Sequence, residues 1–175
     1  ASLVFFMIGR NTANAVTRAP IERGVYVIST DGTDLRQIVG PRQLASVVPN
    51  AAADTIKYFG NEGGGRLQLD VSRDGSRLAF GVGGGADGYR ARVFTVNTNG
   101  SGLVVALGPL DDVSIDQVAI SGNGERVAYQ FGTFQGIEVG TVTFGGANRR
   151  PLAFPNYVTG EWRAAANDDS VRYTL

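Results

Sequence analysis

Hydrophobic residues in this 175-residue chain come in short runs that alternate with polar positions and stop at Gly, Asp or Asn. Short apolar runs of this kind, bounded by turn residues, predict strands. Val25, Val27, Val93, Val96, Val139 and Val142 belong to β-branched and aromatic runs, which suit a pleated, half-buried surface. Each run ends at a turn dipeptide, Asp31-Gly32, Asn99-Gly100 or Gly145-Gly146, that reaches positive φ at little cost. No segment has a helical period. The nearest, LASVVPNAAADTIKYF at 44–59, is interrupted by Pro49.

The runs repeat. VSRDGSRLAF at 71–80 returns as ISGNGERVAY at 120–129, and a worn copy, NDDSVRYTL, stands at 167–175. A second unit, GVYVISTDGTDLRQIV at 24–39, returns at 92–107 as RVFTVNTNGSGLVVAL and more loosely at 138–154. One repeat then holds four strands, a to d, with signature turns between a and b and between c and d. The chain enters at b (LVFFMI), c (VYVIS) and d (RQIV). Two full sets follow, LQLDVS, RLAFGV, RVFTVN and LVVAL, then QVAIS, RVAYQF, IEVGTV and RPLAF; EWRAAA and VRYTL supply a final a and b. Self-similarity at a spacing of roughly 40–50 residues marks propellers or solenoids.

Together the two units resemble the TolB-like β-propeller repeat, a relative of the WD-type repeat. Asp74, Gly75, Arg77, Ala79 and Phe80 carry the first motif, and Tyr26, Val27, Asp31, Gly32 and Leu35 the second. The resemblance implies an all-β fold of four-stranded antiparallel blades around a channel. Here it is a partial propeller of three to four blades in one domain over 1–175, with blade remnants at 1–40, 67–108, 116–154 and 161–175. Arg73 and Gly122 replace the family's Pro before Asp-Gly. The long stretch 40–66 is read as an insertion with room for an extra hairpin, TIKYFG against RLQLDV.

Composition narrows the chemistry. Sixteen basic residues balance sixteen acidic ones, so no cationic face for nucleic acid is expected. Fifteen of the sixteen basic residues are Arg, Lys57 being the exception, which reads mainly as compositional bias. There is no Cys for disulfides or thiolate chemistry, and no His. That removes His-based catalysis and the commonest zinc ligand. The opening SLVFFMI is too short to span a bilayer and lacks a signal peptide's basic flank, so it reads as a strand. A start at Ala1 rather than Met suggests a processed product or an excised piece.

Several residues invite functional readings. Asp70, Ser72 and Asp74 alternate as oxygen ligands of calcium would, but no EF-hand pattern surrounds them and the turn reading is preferred. Asp111, Asp112 and Asp116 read as solvated loop charge. The Gly-rich GVGGGADGYR at 81–90 lacks a phosphate-loop lysine and reads as a b–c hairpin. Glu62, Glu125, Glu138 and Glu161 offer carboxylates for glycosidic chemistry, with nothing in the sequence to pair them. Phe154, Tyr157 and Trp162 form either an interface anchor or, preferably, inter-blade packing. No G-x-S-x-G elbow is present. LVFFMI reads as a buried inner strand that becomes a pairing edge if the fold is incomplete.

The expectation is a non-catalytic binding scaffold for a protein or peptide, with no cofactor, no metal and no assigned site residues. The resemblance implies a bacterial periplasmic or extracellular location. The alternative is the gating or accessory propeller of a larger enzyme, such as a prolyl-oligopeptidase-like peptidase. An unclosed blade set is also expected to oligomerise or exchange strands.

Overall fold

The structure, a computed structural model, describes residues 2–8, 12–13, 20–48, 68–82, 90–111, 113–133, 136–152, 161–164 and 171–174. In chain order the elements are β1 (Leu3–Ile8), β2 (Thr12–Ala13), β3 (Pro20–Ile21), β4 (Gly24–Ser29), β5 (Arg36–Val39), α1 (Pro41–Val47), β6 (Gln68–Val71), β7 (Arg77–Val82), β8 (Ala91–Asn97), β9 (Val104–Leu110), β10 (Ser114–Ile120), β11 (Arg126–Thr133), β12 (Gly136–Thr143), β13 (Arg150–Leu152), β14 (Glu161–Ala164) and β15 (Val171–Thr174).

Sequential antiparallel pairing builds the blades. Blade I is β1-β4-β5, blade II β6-β7-β8-β9 and blade III β10-β11-β12-β13, while β14 and β15 pair as a separate two-stranded sheet. Short β2 and β3 form a side hairpin between β1 and β4. This is a partial β-propeller, and its blade strands lie where the apolar runs and the turn dipeptides predict them, whereas the β2–β3 pair was not expected from the sequence. Blade I differs from its neighbours in one respect: among the described residues nothing occupies the place of strand a.

Each blade has two unlike faces. On blade II, Leu78, Phe80, Val82, Phe94 and Val96 are fully buried against Val25, Val27 and Val39 of blade I, where Phe5 and Met7 also pack. The opposite face carries smaller residues, Ala79, Ala91 and Val93, and receives Ile115, Ile120, Val127, Tyr129 and Phe131 of blade III. Gly81 belongs to this small face, because a Cβ there would stand 2.6 Å from Ile115 Cγ2. Blade III repeats the arrangement with Ala119, Ala128 and Val139. Large against small lets neighbouring twisted sheets interdigitate at the density of a protein interior.

One element corrects the sequence reading, which expected no helix. Residues 41–47 form α1, with Pro41 in its first turn, where a missing N–H costs nothing. Gly40 N–H donates to Gln43 Oε1 at 3.0 Å, and Leu44 and Val48 sink into the core between blades I and II. Seven residues are too few to show a 3.6 period, so tertiary burial rather than pattern holds this helix. The hairpin expected from TIKYFG lies outside the described residues.

Candidate functional site

The recurring Ser-x-Asp/Asn-Gly-x-Arg phrase closes the a–b turn. In blade II, Ser72 N–H donates to Arg77 C=O at 2.8 Å and Gly75 N–H to Ser72 C=O at 2.9 Å. Gly75 sits at φ 72°, which is why Gly follows Asp here. Ser72 Oγ donates to Asp74 Oδ1 at 2.7 Å while accepting Arg77 N–H at 3.0 Å. Asp74 also accepts Ser76 N–H at 3.0 Å and the Ser76 hydroxyl at 2.7 Å. These bonds, the Ser72 hydroxyl first, hold the Asp74 carboxyl down to about 2. Blade III repeats the frame with Ser121 Oγ to Asn123 Oδ1 at 2.8 Å and Arg126 N–H to Ser121 Oγ at 3.0 Å.

Asp70 does something else. Its Oδ1 accepts Val71 N–H at 2.9 Å and its Oδ2 accepts Ile120 N–H at 2.8 Å. Val71 and Ile120 hold equivalent places in β6 and β10, since Val71 faces Leu78 and Ile120 faces Val127. One carboxylate therefore caps the unpaired inner-edge amide of two successive blades, which is what an exposed strand edge requires. Burial pushes the Asp70 carboxyl up, and the two amides partly oppose that.

Arg77 completes the seam. Its guanidinium lies over the Phe144 ring of blade III, 4.9 Å from the centroid, and donates to Gly124 C=O at 3.3 Å. Arg73 N–H donates to Gly122 C=O at 3.0 Å, turn against turn, and Thr95 Oγ1 donates to Phe144 C=O.

Blade III breaks the repeat in one place. Phe6 stacks on Tyr26 in blade I and Phe80 on Phe94 in blade II, but Tyr129 faces Gly140 across the ladder. The vacated space takes the phenol, so a Cβ at position 140 would collide with the Tyr129 hydroxyl. That hydroxyl donates to Glu138 at 3.1 Å and accepts Arg149 Nε–H at 3.1 Å, while Arg149 pairs with Glu138 at 2.6 Å. Burial raises the Tyr129 phenol. Sequence reasoning considered Glu138 alone; the signal it passed over was Gly140 standing where the other blades have an aromatic.

No protein-family model and no curated protein matches the sequence. Solved structures do match. TolB from Acinetobacter baumannii aligns with TM-score 0.55 at 9% identity over 98% of this chain. This chain has the TolB-like β-propeller fold. A protein assigned as TolB from Agrobacterium tumefaciens aligns at 13% identity and TM-score 0.47 over 84% of this chain. The chain spans 40% and 44% of the lengths of those two structures.

Within the TolB-like blades the remaining candidate residues separate. Asp70 and Asp74 serve different partners, and among the described residues no three acidic side chains gather as a metal site. Asp111 pairs with Arg90 at 2.7 Å on the surface, and Asp116 accepts the Ser114 hydroxyl at 3.0 Å. Glu125 serves through its backbone, donating N–H to Asn123 and accepting Phe144 N–H. Glu62, Asp112, Phe154, Tyr157, residues 83–89 and the side chains of Glu161 and Trp162 lie outside the described residues. Of LVFFMI, Phe5 and Met7 pack into the core, whereas Leu3 and Val4 are 48% and 46% exposed.

Proposed function

We propose that this chain is a non-catalytic scaffold that holds a protein or peptide partner on its blades. One contrast carries the reading. The polar groups of the turns and seams, Asp70, Asp74, Arg77 and Asn123, bond within and between blades, while large apolar residues stand exposed at Leu3, Val4, Leu35 and Leu152. Such a division leaves surface for binding and uses its ionic chemistry for architecture. The fold supports the reading without naming a ligand, because propellers host many unrelated functions. A periplasmic or extracellular location is part of the same proposal, and fractionation of cells expressing the tagged native gene tests it.

The purified chain is expected to show no turnover across panels of hydrolase and lyase substrates. Robust turnover abolished by a single carboxylate substitution such as Glu138→Gln would overturn the scaffold reading.

A further inference from the structure

We propose that Asn99-Gly100, at the tip of the c–d hairpin between β8 and β9, is a site of spontaneous covalent modification, where the Asn99 side chain closes onto the Gly100 nitrogen and loses ammonia. The proposal stands apart from the scaffold reading and needs no co-reactant but water.

The reaction follows from the dipeptide. A backbone nitrogen that has given up its proton attacks the carboxamide carbon of the preceding Asn. The N–Cγ bond forms, the Cγ–Nδ2 bond breaks, and ammonia leaves carrying a proton in place of the one released. Water then opens the cyclic imide at either carbonyl, giving aspartate or isoaspartate, whose main chain runs through the side-chain carbons. Glycine supplies the least hindered nitrogen because it has no Cβ. The sequence holds two such pairs, Asn99-Gly100 and Asn123-Gly124.

Both carboxamides are primed alike. Asn99 Oδ1 accepts Ser101 N–H at 3.0 Å and the Ser101 hydroxyl at 2.7 Å. Asn123 Oδ1 accepts Glu125 N–H at 3.0 Å and the Ser121 hydroxyl at 2.8 Å. Two donors on that oxygen draw electron density from Cγ and stabilise the oxyanion that attack creates. The attacking amides are also tied alike, Gly100 N–H to Asn97 C=O and Gly124 N–H to Ser121 C=O, each at 2.8 Å. Each turn must open before it reacts.

The surroundings separate the two. Asn99 is exposed, and a Cβ on Gly100 would meet one atom, the Ile38 carbonyl oxygen at 3.2 Å. Gly124 is buried; a Cβ there would stand 2.6 Å from Arg77 Cδ, and its C=O accepts the Arg77 guanidinium at 3.3 Å. Gly122 C=O, two residues earlier, accepts Arg73 N–H at 3.0 Å. Turning the Asn123-Gly124 peptide therefore disturbs the seam between blades II and III, whereas turning the Asn99-Gly100 peptide opens a hairpin tip, which costs far less.

The two products differ in fit. Blade I carries aspartate in the matching turn, where Asp31 Oδ1 accepts Thr33 N–H at 2.9 Å and the Thr33 hydroxyl at 2.7 Å, the same pair of bonds that Asn99 makes. Isoaspartate instead adds a carbon atom to the main chain inside a hairpin closed by Asn97 N–H donating to Ser101 C=O at 2.9 Å. That displaces Thr98, whose C=O accepts Arg36 of blade I at 2.9 Å and whose N–H donates to Ser76 C=O at 2.9 Å. Isoaspartate at position 99 thus loosens a joint between blades I and II.

The test incubates the full chain in mildly alkaline buffer at physiological temperature and follows both pairs by peptide mapping and mass spectrometry, natively and in urea. In the native chain Asn99 is expected to convert at least roughly tenfold faster than Asn123, at a rate that rises with pH because the nitrogen must lose its proton. In urea the two rates should converge. Equal native rates, faster conversion at Asn123, or an Asn99 that stays intact in the native chain would overturn the assignment.

Ion exchange separates the aged forms, which carry an added negative charge. Exchange of the Thr98 amide should quicken in the isoaspartate form and keep the parent rate in Asn99→Asp. An isoaspartate form with the parent rate, or an Asn99→Asp variant that quickens equally, would overturn the difference in fit.

Discussion

Asp74 and Asn123 fill the same place in successive blades, one charged and one neutral, and both organise the turn by accepting a Ser hydroxyl and a backbone N–H. The acceptor oxygen is what both turns need; at the exposed Asp74 the negative charge strengthens the same bonds by a solvent-screened increment. Asp74→Asn should leave stability at pH 7 within about 0.5 kcal/mol, whereas Asp74→Ala should cost about 1 kcal/mol through the orphaned hydroxyl and amide, both read by urea denaturation. Because the folded Asp74 carboxyl titrates near 2, below its unfolded value, its contribution is present above pH 4 and fades as pH falls toward 2. Asp70 runs the opposite way. Its raised carboxyl contributes stability below the unfolded value near 3.8, lost as pH rises through the higher folded value. At neutral pH Asp70→Ala should still destabilise, by about 1–3 kcal/mol, because it strands the Ile120 amide at the seam. Faster exchange of that amide is the accompanying sign, and an unchanged rate would show that the clamp is not formed.

At the scale of elements, the seams between blades are wedges of large residues against small ones. Gly81→Ala inserts a methyl group 2.6 Å from Ile115 Cγ2, and Phe80→Ala empties the opposite seam. The first should cost about 1–3 kcal/mol by overpacking and the second about 3–5 kcal/mol by leaving a cavity, both measured by chemical denaturation. Strand order and both turn types were legible in the sequence because short bounded apolar runs and an Asp-Gly or Asn-Gly pair are local signals. The Arg of the motif was legible as a recurring letter but not as a cation lying on Phe144 of the next blade, since that contact joins residues far apart in the chain. Helix α1 was hidden by its shortness. The Tyr129, Glu138 and Arg149 network was hidden because Gly140 explains it only once the register of β11 and β12 is known. Substituting Gly140 by Ala should therefore displace the Tyr129 phenol and destabilise blade III more than Tyr129→Phe, which keeps the ring and loses only hydrogen bonds.

For the whole molecule, blade I shows three strands among the described residues where blades II and III show four. Its side chains divide inward and outward as in its neighbours, Phe5 and Met7 packing on the core and Val4 half-exposed, in keeping with the β1–β4 register and the alternation of hydrogen bonds it implies. Residue-resolved amide exchange on the free chain tests this directly. Slow exchange at Val4 and Phe6 with fast exchange at Leu3, Phe5 and Met7 is the predicted result. Uniform protection across Leu3–Ile8, or the reverse alternation, would contradict the β1–β4 register and the blade packing built on it.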